Sequence, residues 1–221
     1  MFRLDAFSGQ AVALFACDFP GRYDLPAQEV DLAAVRREPA LTGFRIPLRP
    51  HIGTAGVAPA VAGPVSTIPP GPHGGNIDNW RIGPGSIMYY PVWVRGGLLS
   101  FGDPHGPQGD GEINGTAIEA SLDMVVEVRV RKGWRLGAPL LETPDAWISH
   151  GFHTDLDQAT RDAILAMLDF LCRPGRLSRE DAYTLISVAG DVAVTQVVDQ
   201  RQGVHVLVPK RVFPPDAEGD W

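Results

Sequence analysis

The chain has 221 residues and a net charge of −7, and 44% of its residues are hydrophobic. Glycine (25) and proline (20) make up about a fifth of the residues, against roughly 12% in ordinary proteins, which argues against a helical bundle or a coiled coil. The apolar content is too high for a disordered chain, and the acidic balance argues against nucleic acid or an anionic membrane as the main partner.

The sequence shows no pattern typical of a targeting or membrane-spanning segment. The longest early apolar run, residues 11–17, is too short to cross a membrane and lacks the basic start of a signal peptide. Cys17 and Cys172 lie far apart and form no CxxC pair, so we expect reduced thiols and no disulfide. These features favour a cytoplasmic protein.

The first half of the chain predicts irregular structure. Residues 24–28 and 36–39 are typical of turns or polar loops, and residues 46–84 carry too many glycines and prolines for a helix. We expect an ordered loop region with short strands, of the kind that often carries function. Its apolar side chains are expected to be buried: Ile52, Val57, Val61, Val65 and Ile68.

Strand signals follow in the middle of the chain. Residues 87–94 are aromatic and β-branched, and residues 98–101 form a second short apolar run. The clearest signal is at residues 122–131, where hydrophobic residues occupy every second position from Leu122 to Val130. This period of two predicts a strand with one face in a core.

Two helices and two closing strands are predicted near the C-terminus. Asp155 and Ser178 are typical N-caps, for helices near residues 156–172 and 179–190. The closing strands are residues 192–198 and 204–208. Together these signals predict a mainly β fold, α+β and sandwich-like, with a C-terminal helical hairpin.

Polar residues that could carry chemistry are concentrated between His73 and Glu119. Within ten residues, three carboxylates and an imidazole occur among glycines: Asp103, His105, Asp110 and Glu112. Such oxygen and nitrogen donors suit zinc or another divalent ion. Ordinary turn chemistry is the alternative, because aspartate and glycine are common in turns for local reasons.

The patterns around the other histidines favour structural roles. His150 and His153 precede a predicted helix, which favours surface or capping roles. His205 alternates with valines and is expected on the outward face of a strand. No GxSxG motif is present, and nothing beside the cysteines supports a cysteine nucleophile.

Several segments, in order along the chain, resemble the acetamidase/formamidase family. They are RIPLRPHIGTAGVAP (45–59), PGPHGGNID (70–78), YPVWVRGGLLS (90–100), GDPHGPQGDGE (102–112) and GTAIE (115–119). The resemblance covers roughly residues 45–210. It implies a metal-dependent hydrolase that converts short amides such as formamide or acetamide to the acid and ammonia. It also implies a β-sandwich scaffold with added helices, usually in a homo-oligomer.

The matching motifs also imply a set of site residues, to which we assign roles by chemical inference. The metal ligands are assigned as Asp78, Asp103 and His105. Glu112 is assigned as the base that moves a proton from water to the leaving nitrogen, and Asp110 as the residue that orients either this base or a metal ligand. Zinc is the expected ion, and Glu119 is a further candidate.

The N-terminal region departs from the family pattern. Family members carry a substantial β-rich segment ahead of the RPxxGT motif, whereas residues 1–44 match poorly, so we treat residues 45–221 as the family-like domain. The alternative function is therefore a non-catalytic or partner-requiring subunit of a split amidase. The expected partners are a small amide, other copies of the chain and a second subunit that supplies the missing segment. Neither nucleic acid nor a membrane is expected.

Overall fold

The structure, a computed structural model, describes residues 1–14, 16–18 and 36–214. The chain divides into two compact units, Met1–Arg49 and Pro50–Trp221. The strands of the first unit are β1 (Phe2–Asp5), β2 (Gln10–Ala13), β3 (Ala16–Asp18), β4 (Arg36–Glu38) and β5 (Arg45–Pro47). β1, β2 and β5 form one antiparallel sheet, and β3 pairs with β4. The predicted turn at 24–28 and the side chain of Cys17 lie outside the described residues, and the predicted loop at 36–39 contains β4.

The second unit contains two antiparallel sheets. The five-stranded sheet has the order β12-β13-β11-β10-β8, and the three-stranded sheet has the order β7-β6-β9. Their strands are β6 (His51–Gly56), β7 (Gly74–Asn76), β8 (Ile87–Tyr89), β9 (Ser100–His105), β10 (Leu140–Glu142), β11 (Ala146–His153), β12 (Asp191–Gln196) and β13 (Gln202–Pro209). Because β6 pairs with both β7 and β9, the residues that follow these two strands are brought to the same region.

Two helices follow β11, where the capping signals predicted them. They are α1 (Leu156–Leu171) and α2 (Arg179–Ala189), and a short 3-10 helix (Lys210–Val212) follows β13. The Asp155 carboxylate accepts a hydrogen bond from the backbone N–H of Gln158, and the Ser178 hydroxyl accepts one from that of Asp181. These caps satisfy backbone donors that have no partner inside the helix.

Each face of the five-stranded sheet contributes to a hydrophobic core. The helices cover one face, where Trp147, Val204 and Val206 pack in one cluster with Met167 and other residues of α1. Leu141 and Ile148, on the opposite face, form a second cluster with residues from the region of the three-stranded sheet. These are Ile52, which lies in β6, and Ile77 and Ile82, which follow β7. The layers confirm the predicted mainly β, α+β fold with a C-terminal helical hairpin.

The strand predicted at residues 122–131 is wrong. These residues form no regular secondary structure, nearly all of them are exposed, and Val125 is fully exposed. A period of two defines two faces, but a strand also needs a neighbour that pairs with its backbone. No described residue supplies that neighbour.

Two smaller expectations also differ from the structure. The strand expected over residues 87–94 ends at Tyr89, ahead of Pro91, which lacks the N–H that a ladder needs. Val61, Val65 and Ile68 are exposed, although we expected them to be buried. Among the described residues, no helix is both long and apolar enough to cross a membrane.

Candidate metal centre

Three of the predicted site residues converge in the second unit. Asp78 follows β7, His105 ends β9, and Glu112 lies in the loop beyond β9. One potential ligand atom from each residue lies within 4.8 Å of the other two. The exposed fractions of the three residues are 1%, 0% and 5%. Two separate motifs therefore supply one buried cluster of two carboxylates and an imidazole.

The backbone holds the acidic residues of this region in an uncommon conformation. Asp78 has a φ of 53°, Asp103 of 54° and Glu112 of 40°. Residues other than glycine occupy this left-handed region at a cost of about 1–3 kcal/mol each, and such strain is concentrated at functional sites. The surrounding strands and loops thus fix the directions of these carboxylates.

The hydrogen bonds of His105 identify which of its nitrogens can bind a cation. Nδ1 lies 3.0 Å from the carbonyl oxygen of Asp103, and because that oxygen can only accept, Nδ1 carries the proton. Nε2 therefore presents a lone pair, 3.3 Å from Oε1 of Glu112. A ligand histidine is commonly oriented in this way through its second nitrogen.

A second histidine and a glutamine hold this arrangement in place. His51 pairs with His105 across β6 and β9, and the two rings are stacked with centroids 5.0 Å apart. The side chain of Gln108 lies 2.8 Å from Nε2 of His51 and donates a hydrogen bond to the backbone carbonyl of Asp78. Sequence reasoning assigned no role to His51 or Gln108, although both lie within the motifs.

Each of the three cluster residues has a buried polar atom without a hydrogen-bond partner among the described residues. Oδ1 of Asp78, Nε2 of His105 and Oε2 of Glu112 are buried and make no hydrogen bond with the described residues. Buried polar atoms are ordinarily paired, so each unpaired one needs an explanation. Three such atoms of ligand type, one on each residue of the cluster, fit a bound cation.

The electrostatics of the cluster also favour a cation. Burial, a hydrogen bond with Asp199 and the charge of Glu112 raise the pKa of Asp78. Burial, together with the charges of Glu112 and Asp103, raises the pKa of Asp199 as well. Burial alone would lower the pKa of His105, but Glu112 and Asp103 outweigh it and raise that pKa. A negative field that favours added protons also favours a metal ion.

Gly53 leaves the space that the carboxylates occupy. A Cβ atom at this position of β6 would lie 2.3 Å from Oδ1 of Asp78 and 2.5 Å from Oδ2 of Asp103. Any residue with a side chain would displace both carboxylates. The glycine of the RPHIG segment is therefore a steric requirement of the site.

A second group of potential ligands shares His105. Atoms of Asp103, His105 and Glu119 also lie within 4.8 Å of one another, and Glu119 forms a β-bridge with His105. Glu119 is exposed and Asp103 is half-buried. Because Nδ1 of His105 already donates to a carbonyl, the group with Asp78 and Glu112 offers the better set of lone pairs.

Asp110 binds the neighbouring loop. Its carboxylate accepts hydrogen bonds from Nη1 and Nη2 of Arg81 at 2.8 and 3.2 Å, and one from Nε1 of Trp80 at 2.8 Å. Arg81 and Trp80 follow Asp78 closely in the chain. The contacts therefore tie the loop that carries Glu112 to the loop that carries Asp78.

Two histidines expected at the surface are buried, so those expectations are wrong. His150 and His205 are directly opposite each other in the β11–β13 pairing, and both are at most 1% exposed. Nε2 of His150 accepts a hydrogen bond from Nδ2 of Asn79, and burial lowers the pKa of His150 to about 4. His153 is exposed, as one of its two expected roles required, and its Nδ1 accepts a hydrogen bond from the backbone N–H of Asp155, the N-cap of α1.

Comparisons of the sequence and the fold with known proteins identify relatives of this chain. The model of the acetamidase/formamidase family matches residues 60–144. A formamidase of Methylophilus methylotrophus is 31% identical, over 72% of this chain and 46% of the formamidase.

Two solved structures are similar to this fold. The crystal structure of an acetamidase from Bacillus halodurans is 34% identical with a TM-score of 0.72, over 81% of this chain and 63% of that one. The crystal structure of a predicted acetamidase/formamidase from Thermoanaerobacter tengcongensis is 32% identical with a TM-score of 0.74, over 80% of this chain and 61% of that one. The chain thus spans less than two thirds of each of these relatives. Because the family model, the relatives' sequences and the solved structures agree, the chain belongs to the acetamidase/formamidase family.

Proposed function

We propose that this chain hydrolyses the carbon–nitrogen bond of short amides, in a site where Asp78, His105 and Glu112 hold a divalent metal ion. The observation that carries the proposal is the buried cluster of these three residues, in which potential ligand atoms lie within 4.8 Å of one another and each residue has a polar atom without a hydrogen-bond partner among the described residues. The relatives named formamidase and acetamidase support a short linear amide as the substrate. Two carboxylates and one imidazole suit zinc or another divalent ion.

The cluster residues have complementary tasks in this proposal. Nε2 of His105 is available as a ligand because the carbonyl of Asp103 holds the proton on Nδ1. Asp78 and Glu112 supply the negative charge that balances the ion. A bound divalent ion supplies polarisation of the amide carbonyl and a lowered pKa of water.

Proton transfer falls to the outer carboxylates. Asp103 is half-buried and Glu119 is exposed, so both are more accessible to water than the buried Asp78 and Glu112. Such a carboxylate can take a proton from water and deliver it to the leaving nitrogen. The roles expected from the motifs are thereby exchanged, with Glu112 as a ligand and Asp103 outside the ligand set.

Metal binding and ammonia release by two glutamate variants test these roles separately. Glu112→Gln is expected to lower zinc affinity at least tenfold and to lower turnover of formamide and acetamide with it. Glu119→Gln is expected to lower turnover while metal content stays unchanged. Glu180→Gln, an exposed position in α2, is the matched control for both.

The outcomes separate the proposal from its alternatives. If Glu112→Gln loses turnover but keeps its metal, Glu112 is the base expected from the motifs. If the folded chain binds metal but releases no ammonia until a second polypeptide is added, it is the partner-requiring subunit. A folded chain with neither metal affinity nor turnover refutes the proposal.

A further inference from the structure

A cavity of about 320 Å³ lies between α1, β11 and the chain that leads into β10. This volume is at the lower end of the range for small-molecule pockets, roughly 300–1,000 Å³. Its apolar walls include Leu165 of α1, Phe152 of β11 and Leu136, which precedes β10. None of the three residues of the candidate metal centre lines this cavity, so it is a separate feature of the second unit.

Arg173 brings a positive charge and an unmatched hydrogen-bond donor to the cavity. Its Nε donates to the carbonyl oxygen of Phe170 at 3.1 Å. Its Nη1 is buried and has no hydrogen-bond partner among the described residues. Because buried polar groups are ordinarily paired, this donor needs an acceptor, and a ligand bound beside Arg173 would supply one.

Aromatic rings hold the guanidinium of Arg173 in place before any ligand binds. Its Cζ lies 4.0 Å from the centroid of the Trp134 ring and 4.2 Å from that of the Phe170 ring. Such cation–π contacts fix the plane of a guanidinium. A side chain that is already ordered loses less entropy when it binds a ligand, which favours affinity.

Further arginines make the surroundings of Arg173 positive, although the chain as a whole is acidic. Arg131 also lies over the Trp134 ring, 3.8 Å from its centroid, and the exposed Arg135 lines the cavity. Burial, together with the charges of Arg176 and Arg131, lowers the pKa of Arg173 to about 10. A bound anion would offset the repulsion among these cations.

Two aspartates also line the cavity, and each already accepts a hydrogen bond. Asp162 accepts one from the side-chain amide of Gln158 at 2.7 Å, and Asp169 accepts one from Nη1 of Arg179 at 3.4 Å. Among the described residues that line the cavity, the buried side-chain atom without a partner belongs to Arg173. The missing group is therefore an acceptor, which favours an anion over a cation as the ligand.

We propose that this cavity binds a small organic carboxylate, whose oxygens accept hydrogen bonds from Arg173 and Arg135. Its short hydrocarbon body packs against the apolar walls formed by Leu136, Phe152 and Leu165. A guanidinium matches the two oxygens of a carboxylate, and apolar walls favour an organic acid over inorganic phosphate. The proposal does not depend on the proposed amide hydrolysis.

Isothermal titration calorimetry of the full chain with isovalerate tests the proposal. Isoamyl alcohol has the same carbon skeleton without the charge, and inorganic phosphate has the charge without the apolar body. Both are expected to bind at least tenfold more weakly than isovalerate. Wild-type protein that does not bind isovalerate, or that binds either of the other two probes as tightly, would overturn the proposal.

Two arginine variants show where the acid binds. Arg135→Gln is expected to weaken isovalerate binding at least tenfold. Arg129→Gln removes the same charge from the same segment but does not line the cavity, so it is the matched control and is expected to keep wild-type affinity. Both positions are exposed, so both variants are expected to keep the fold, which thermal unfolding checks. Equal isovalerate affinity in the two variants would place the acid elsewhere and refute the proposal.

Discussion

Substitution of Gly53 by alanine would test whether the carboxylates around His105 form one working site. The added methyl group would lie 2.3 Å from Oδ1 of Asp78 and 2.5 Å from Oδ2 of Asp103. Carbon atoms at ordinary contact lie about 3.5–4.0 Å from their neighbours, so both carboxylates must move by about 1 Å. The methyl group would also lie 2.9 Å from the carbonyl oxygen of Asp103, which fixes the proton on His105.

The displacement sets the size of the expected effect. A misplacement of about 1 Å at a catalytic site can lower the rate about 10²-fold, which corresponds to roughly 2.7 kcal/mol of activation free energy. Gly53→Ala is therefore expected to lower kcat/KM for formamide or acetamide about 10²-fold. Zinc affinity, measured by competition with a chelating dye, is expected to fall with it because Asp78 is displaced.

Gly102→Ala is the matched control. Gly102 lies on β9, the strand that pairs with the strand of Gly53, and a Cβ there would meet nothing within 4 Å. Neither glycine has a positive φ, so the alanine backbone is equally compatible with both. If the two variants match each other in metal affinity and turnover, the reasoning from the close contacts at Gly53 is wrong.

Three further predictions concern the structure around the site. Gly151→Ala would place a methyl group 2.2 Å from the carbonyl oxygen of Ala159 in α1. Because the backbone must move to make room, the free energy of unfolding measured by urea denaturation should fall by about 1–3 kcal/mol. An unchanged free energy of unfolding would contradict the close packing of β11 against α1. The pKa of His150 is about 4 in the folded chain against 6.5 unfolded, so the unfolded state binds the proton first as the pH falls. Over the window from pH 6.5 to 4 the free energy of unfolding should fall by about 3 kcal/mol from this residue, and His150→Gln should flatten the measured pH dependence. Asp110→Asn should change stability by less than about 1 kcal/mol but lower turnover, because the contact with Arg81 ties the two site loops together; wild-type turnover would refute that role.

The helices could be predicted from the sequence because their signals are local. Asp155 and Ser178 cap α1 and α2 through hydrogen bonds three residues away, and Gly175 and Gly190 stand beyond the helix ends. A short window of sequence contains everything needed for these elements.

The site could be predicted only in part, because some of its residues come from distant segments. Asp78, His105 and Glu112 lie in motifs dense in acidic residues and glycine, which marked them as candidates. Asp199 shares a hydrogen bond with Asp78, but it lies in a turn after β12 with no distinctive neighbours. Only the folding of β12 and β13 beside the site brings it there.

Alternation with valines located one face of β13 correctly but gave the wrong environment for the other face. His205 does point away from Val204 and Val206, which pack against the helices. The opposite face is not solvent, since His205 is 1% exposed and its Nδ1 lies 2.9 Å from the hydroxyl of Thr195. A period of two distinguishes two faces, and a second layer can bury both of them.

Alternation also failed to indicate the surroundings of residues 122–131, nearly all of which are exposed where a buried face was predicted. Alternation there defines an apolar face and a charged face, but it carries no information about what lies beside the strand. Strand structure requires hydrogen bonds from a neighbour, and the described residues of one chain provide none to this segment.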